Sequence, residues 1–182
     1  MAIRTPQSEL VRHLEDAVAM EQAVIRMLQD MLSTTDDPEL RETFERHVSE
    51  SERQEARLRG RLEAHGEGGE SRLKELAGQL GALVKGALDV SRDTSTARNA
   101  RDAYVSEHME IVSYELLERV ARMAGDEDTA DVARRNRAEE QAMADAILAT
   151  LDRVAVVGMR EDGALLGGAT ERPNPLGVAT GS

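Results

Sequence analysis

In the stretch Val105 to Leu117, VSEHMEIVSYELL, Glu107 and Glu110 stand three residues apart, on the side of a helix that its apolar residues would turn inward. An ionised carboxylate taken out of water costs several kcal/mol unless a cation or strong hydrogen bonds compensate it. The same conflict recurs at Glu21, at Glu50 and at Glu140, each near the middle of a long amphipathic segment. Antiparallel packing of those segments brings the acids to one depth, where protonation alone would require pKa values shifted far upward. Metal ions remove the difficulty. Oxygen-rich cages with one or two His suit iron or manganese, and helical bundles build them from a Glu on two helices and an acid paired with His one turn away on the others. His47-x-x-Glu50 has that i, i+3 spacing, and Glu107-x-x-Glu110 repeats it with two acids.

The elements that must position these residues are read from apolar periodicity. The first helix is expected from Ser8, as its cap, to Leu32, with Leu10, Leu14, Glu21, Leu28 and Met31 in register. The second starts at DPEL, where Asp37 caps and Pro38 takes the first helical position, and runs to about His65; Leu40, Phe44, His47, Ser51, Gln54, Leu58 and Leu62 line it. Residues 66 to 96 form a long connection with an amphipathic segment of its own, interrupted by Gly78, Gly81 and Gly86. The third helix is expected over Ala97 to Ala124, stopped by Gly125. The fourth covers Glu127 to Val156, with Ala130, Ala133, Arg137, Glu140, Ala144, Ile147, Leu151 and Val154 inward. The reading is all-α: a bundle over 8–156, an extension at 1–7, and a flexible tail at 157–182 broken by Pro173 and Pro175.

Composition narrows the function. With two Tyr, one Phe and no Trp, core volume must come from Leu, Val, Met and Ala, and stacking on flat aromatic ligands is disfavoured. A net charge of −12 repels phosphate backbones and anionic lipid surfaces, so nucleic acid and membrane are excluded as partners. No apolar run is long enough to span a bilayer, and MAIRTPQSEL has no secretory apolar segment, so a cytoplasmic protein is expected. Lacking cysteine, the chain has only carboxylates and His as strong metal ligands.

The stretches AMEQAVIRMLQDML, DPELRETFERHVSESERQEARLRGRLE, SEHMEIVSYELLERVARMAG and AEEQAMADAILATL resemble, in order and spacing, the ferritin-like stress proteins of the YciE/YciF type over about residues 8 to 155. The similarity rests on His47-x-x-Glu50 followed by Gln54, on Glu107-His108-x-Glu110 followed by Tyr114, and on Glu139, Glu140, Ala144 and Asp145. It implies a ferritin-like four-helix bundle whose long crossover joins the second and third helices. By analogy with the wider superfamily it also implies a dinuclear iron or manganese centre. In that reading Glu21 and Glu140 are terminal ligands, Glu50 and Glu110 bridge, and His47 and Glu107 complete the shell. Such a centre would oxidise ferrous iron or consume peroxide, with oxygen or peroxide as reactant, and a homodimer is the expected assembly.

Bland alternatives stand beside these assignments. Any single glutamate reads as a boundary residue whose stem packs while its head reaches water. Tyr104 and Tyr114 offer hydrogen bonds to Glu107, and Tyr114 is either a ligand's partner or core filling. His108 is expected to face a neighbouring helix or the outside of the ligand set, His13 and His65 the surface, and Asp145 a nearby Arg. Met143 occupies the place where many di-iron bundles carry the His of an ExxH pair. Arg137, on the stripe with Glu140, leaves open a buried ion pair with Glu140 or Glu110 in place of metal, and with it a non-catalytic stress or scaffold bundle. The segment PNPLGVATGS leaves open a role as cargo peptide.

Overall fold

The computed structural model describes residues 5–66, 73, 75–79, 81 and 95–164. Four long helices account for most of them: α1 Pro6–Leu32, α2 Pro38–Ala64, α3 Thr96–Ala124 and α4 Glu127–Glu161. No strand occurs among the described residues.

Local chemistry sets the helix ends. Thr5, not Ser8, caps α1: its hydroxyl accepts from the Ser8 amide at 3.1 Å, while the Ser8 hydroxyl accepts from the Thr5 amide at 2.9 Å. That reciprocal pair satisfies two amides that would otherwise lack partners. Asp37 caps α2, accepting from the Leu40 amide at 2.8 Å, with Pro38 next in the first turn. Gly125 ends α3 at φ 76°, a left-handed conformation that glycine adopts without a Cβ penalty, and Asp126 then caps α4. The fourth helix continues past the expected Val156 to Glu161. Near its end Gly158 lies against Ala97, where an added Cβ would come within 2.7 Å of the Ala97 Cβ.

Two apolar clusters fill the bundle. One joins Leu10 and Leu14 of α1 to Leu58 and Leu62 of α2, Leu117 and Ala121 of α3, and Ala130 and Ala133 of α4. The other joins Leu28, Phe44, Ala103 and Ile147. The start of α1 therefore packs with the end of α2, the end of α3 and the start of α4, so each helix runs antiparallel to the neighbours it packs against. Consequently α2 finishes at one end of the bundle and α3 begins at the other, the all-α, ferritin-like arrangement that a crossover requires. The connection at 66–96 falls largely outside the described residues; within it Leu73, Glu75 to Gln79 and Gly81 are helical, and Leu73 packs into the first cluster. The C-terminal tail beyond Ala164 also lies outside the described residues. Between the two apolar clusters lies a polar layer.

Candidate metal centre

Each helix sends side chains into that layer. Glu21 comes from α1, His47, Ser51 and Gln54 from α2, Glu107 and Glu110 from α3, and Asn136 and Glu140 from α4, all buried. Successive inward positions on each helix are three or four residues apart, so they stack along one face.

His47, Glu107, Glu110 and Glu140 converge so closely that one ligand atom from each lies within 4.8 Å of all the others. His47 Nε2 is 3.0 Å from Glu107 Oε1 and 3.6 Å from Glu140 Oε2, near enough for ion pairing but not aligned as hydrogen bonds. Neither nitrogen of His47, and no carboxylate oxygen of Glu107, Glu110 or Glu140, has a well-aligned hydrogen-bond partner among the described residues, although Glu107 and Glu140 lie close enough to share a proton and Gln54 lies beside Glu140. Glu21 approaches the group from α1. The Tyr114 hydroxyl donates to its Oε1, leaving Oε2 without a partner.

Burial dominates the electrostatics. It pushes the carboxyl groups of Glu21 and Glu110 well above the usual range, and their mutual repulsion with Glu140 and Glu107 pushes further in the same direction. The Tyr114 hydrogen bond partly opposes the rise at Glu21. Burial likewise raises Glu107 to about 8 and Glu140 to about 9, the latter moderated by His47. Burial lowers His47, opposed by the charges of Glu140 and Glu50, so the ring is driven toward its neutral, ligating form. Tyr114 is driven well upward by burial and by Glu21, which holds its hydroxyl as a donor.

This is the environment a cation fits. Four acids and an imidazole share a sealed volume, most of their lone pairs are unmatched, and no guanidinium or ammonium enters the group among the described residues. The donor set of carboxylate oxygens plus one imidazole suits iron or manganese better than soft metals.

The sequence assignments fare unequally. Glu21, His47, Glu107, Glu110 and Glu140 are brought to one layer. Glu50 is not in the converging group. It sits one turn beyond His47, its side chain 26 % exposed and 3.9 Å from Arg53. Its charge nevertheless acts on both His47 and Glu107. Tyr114 fills the core and also serves Glu21, whereas neither tyrosine bonds Glu107. Tyr104 instead packs against His108 in a tilted arrangement, ring centres 4.5 Å apart, and His108 is exposed rather than turned toward a neighbouring helix. Asp145 is exposed and bonded to Gln141.

Arg137 corrects the α4 register. The inward residue is Asn136, while Arg137 is half-buried and pairs with Glu115 and, at 2.9 Å, with Glu118 of α3. The ion pair with Glu140 or Glu110 left open by the sequence is therefore not formed. Asn136 was missed because 133, 136 and 140 step by three and four just as well as 133, 137 and 140 do. The signal available was the cost of turning a guanidinium inward when a smaller amide stood beside it. Asn136 Oδ1 accepts from Arg57 Nε at 2.9 Å, and Gln54 Nε2 donates to Glu139 at 3.2 Å, closing the layer on that side.

Four antiparallel helices around a buried layer of glutamates and one histidine, with the second ending at the opposite end of the bundle from where the third begins, form a ferritin-like fold. The chain belongs to a domain family of unknown function, DUF892, whose pattern matches residues 5–157. It is similar in structure to a protein from Xanthomonas campestris pv. campestris at 24 % identity, covering 87 % of this chain and 99 % of that one, with a TM-score of 0.69. The stress protein YciF of Escherichia coli matches at 19 % identity and a TM-score of 0.67, covering 85 % of this chain and 99 % of that chain. YcfI from Rhodopseudomonas palustris matches at 23 % identity and a TM-score of 0.66, covering 80 % and 94 %. The YciE/YciF-type resemblance seen in the sequence is thus shown by family and fold together. No helix among the described residues is long and apolar enough to cross a membrane.

Proposed function

We propose that this protein binds iron or manganese, as a dinuclear centre, in its polar layer and uses it in oxidative chemistry under stress. The observation that carries the reading is the set of unpartnered ligand atoms on His47, Glu107, Glu110 and Glu140, fully buried and within 4.8 Å of one another. Those residues would hold the metal, with Glu21 supporting a second ion. When bound, such a group supplies Lewis acidity and a one-electron couple suited to oxidising ferrous iron or consuming peroxide.

The chain's own part is to exclude bulk water and to keep His47 neutral and pointed inward. Tyr114 fixes the carboxylate of Glu21 by donating to one oxygen, which leaves the other free to ligate. The stress-protein designation of the Escherichia coli relative supports the physiological setting.

The homodimer expected for such bundles finds support on the outer face of α3. There Val105, Val112, Leu116 and Met123 are 51 %, 58 %, 49 % and 78 % exposed, at intervals suited to pairing with a second copy.

Anaerobic reconstitution with ferrous iron or manganous ion, followed by metal analysis, tests the centre. About two ions per chain are expected of a dinuclear carboxylate site, with an optical change on adding peroxide. Less than one ion per chain and no optical response would overturn it.

A further inference from the structure

A site this deeply closed needs a route for its cation. Glu21, His47, Glu107, Glu110 and Glu140 are 1 % exposed or less, and the apolar clusters block both ends of the layer. The route must therefore pass between helices at the level of the layer, where a dehydrating ion needs an oxygen ligand partly in water and partly in reach of the group.

Two carboxylates sit at that level with about a quarter of the side chain exposed. Glu139, adjacent to the ligand Glu140, is already occupied: Arg57 grips Oε2, Gln54 donates to the same oxygen at 3.2 Å, and Arg135 Nε holds Oε1 at 3.2 Å. Guanidinium groups on both sides of it would repel an approaching cation. Glu50 is the opposite case. Its contact is with Arg53 at 3.9 Å, the limit of an ion pair, and that arginine is itself 62 % exposed and free to swing into solvent. Glu50 also stands three residues after His47 on α2, on the side of the helix that leads to the imidazole.

We propose that Glu50 is the portal of the centre, a half-exposed carboxylate that takes a divalent cation from solvent and passes it inward to His47 and Glu107, with Arg53 as the movable counter-charge that covers it between loadings. The field of Glu50 already reaches both of those residues, and a cation held there would be drawn toward the unmatched oxygens beyond. Loading then depends on Glu50 in rate more than in final affinity, because the ion comes to rest on the deeper ligands.

This inference rests on the metal-binding reading, and the experiment separates the two. Cobaltous ion is mixed with the full-length protein in a stopped-flow spectrometer, and its visible absorption reports both the association rate and, by titration, the equilibrium affinity. Glu50→Gln keeps the shape and removes the charge; roughly tenfold slower association is expected, with a far smaller change in equilibrium affinity. Arg53→Gln is expected to speed association, and Glu139→Gln to leave it unchanged. If Glu50→Gln weakens equilibrium binding while association is untouched, Glu50 is a resident ligand and the portal assignment is wrong. Equal rates in the wild type and in Glu50→Gln also overturn it, with the metal site intact. Should the wild type bind no cobalt, the metal reading itself falls and the portal with it.

Discussion

Acids at the centre of this bundle and acids elsewhere in it are treated in opposite ways. Glu118, on α3, is as buried as many core residues, yet Arg122, Arg134 and Arg137 surround it at 2.6, 3.6 and 2.9 Å. Asp37 caps α2 and receives a two-pronged grip from Arg153 at 2.8 and 3.0 Å. Asp126 caps α4 and accepts from Arg61 at 2.9 Å and from His65 at 2.8 Å. In the central layer, among the described residues, Glu107, Glu110 and Glu140 pair with no cationic side chain beyond His47, whose ring burial drives toward neutrality. The arginines named above serve helix ends and seams. That contrast is what supports the proposal of a cation supplied from outside the chain.

The largest expected effect follows from protons. In the metal-free protein Glu107 and Glu140 are held up to about 8 and about 9, whereas in the unfolded chain a glutamate titrates near ~4.3. Between those limits the folded form binds more protons, so stability is complete below the unfolded value and falls as pH rises toward about 8 to 9. The thermal midpoint of the metal-free protein is expected to drop between pH 5 and pH 9 by about 10 °C or more. Added manganous ion should restore it most strongly at the alkaline end, because the ligands must be deprotonated to bind. Asp126 has the opposite sign. Burial alone would raise it, but hydrogen bonds from Thr129, His65 and Arg61 win and hold it far below the usual range, so its contribution is lost only in strong acid. A metal-free midpoint that rises from pH 5 to 9 would break the contrast.

Substitution gives a second, smaller test. Glu110→Met replaces a buried, unpaired carboxyl with an apolar chain of similar reach, and in the metal-free protein at pH 8 it should stabilise by about 1–4 kcal/mol while abolishing the metal's effect. Glu118→Ala should do the reverse, destabilising by about 1–2 kcal/mol with metal binding intact, the figure kept low because its arginines reach solvent. Urea unfolding with and without manganous ion measures both. Two losses of equal size would mean that Glu110 is as well satisfied as Glu118.

How far the sequence could see is explained by the same contrast. Apolar periodicity and caps place four helices well, because Asp37-Pro38 and Gly125 act through local backbone geometry. Four central glutamates were legible because an acid on an apolar stripe is anomalous whatever lies opposite, and His47 by its position on the same stripe beside Glu50. The α4 register was not, since Asn136 and Arg137 both fit a helical step and only the partners on α3, Glu115 and Glu118, draw the guanidinium outward. The i, i+3 spacing made both His47 and Glu50 candidate ligands, yet His47 is sealed and Glu50, at the flank of the stripe, is partly exposed. Rotation of a helix by a fraction of a turn decides that, and the rotation is set by packing across the bundle. The exposed stripe on α3 escaped for a related reason, as its members are separated by turns that mix with the inward face.

The smallest expected effect sharpens the contrast from the solvent side. Arg119 is 65 % exposed and pairs with Glu115 one turn earlier on α3 at 2.5 Å. Its distance is as short as those around Glu118, so geometry alone would rank it equal. Water screens it, and two long side chains lose rotamer freedom in forming it, so Arg119→Ala should shift stability by no more than about 0.5 kcal/mol. Glu115 keeps Arg137 as a partner, which reduces the loss further. Guanidinium unfolding is unsuitable because its salt would mask the pair; urea at low ionic strength is the measurement. A loss above about 1 kcal/mol would show that exposed pairs on α3 carry real weight. The distinction between centre and surface would then lie in the number of partners an acid has rather than in its removal from water.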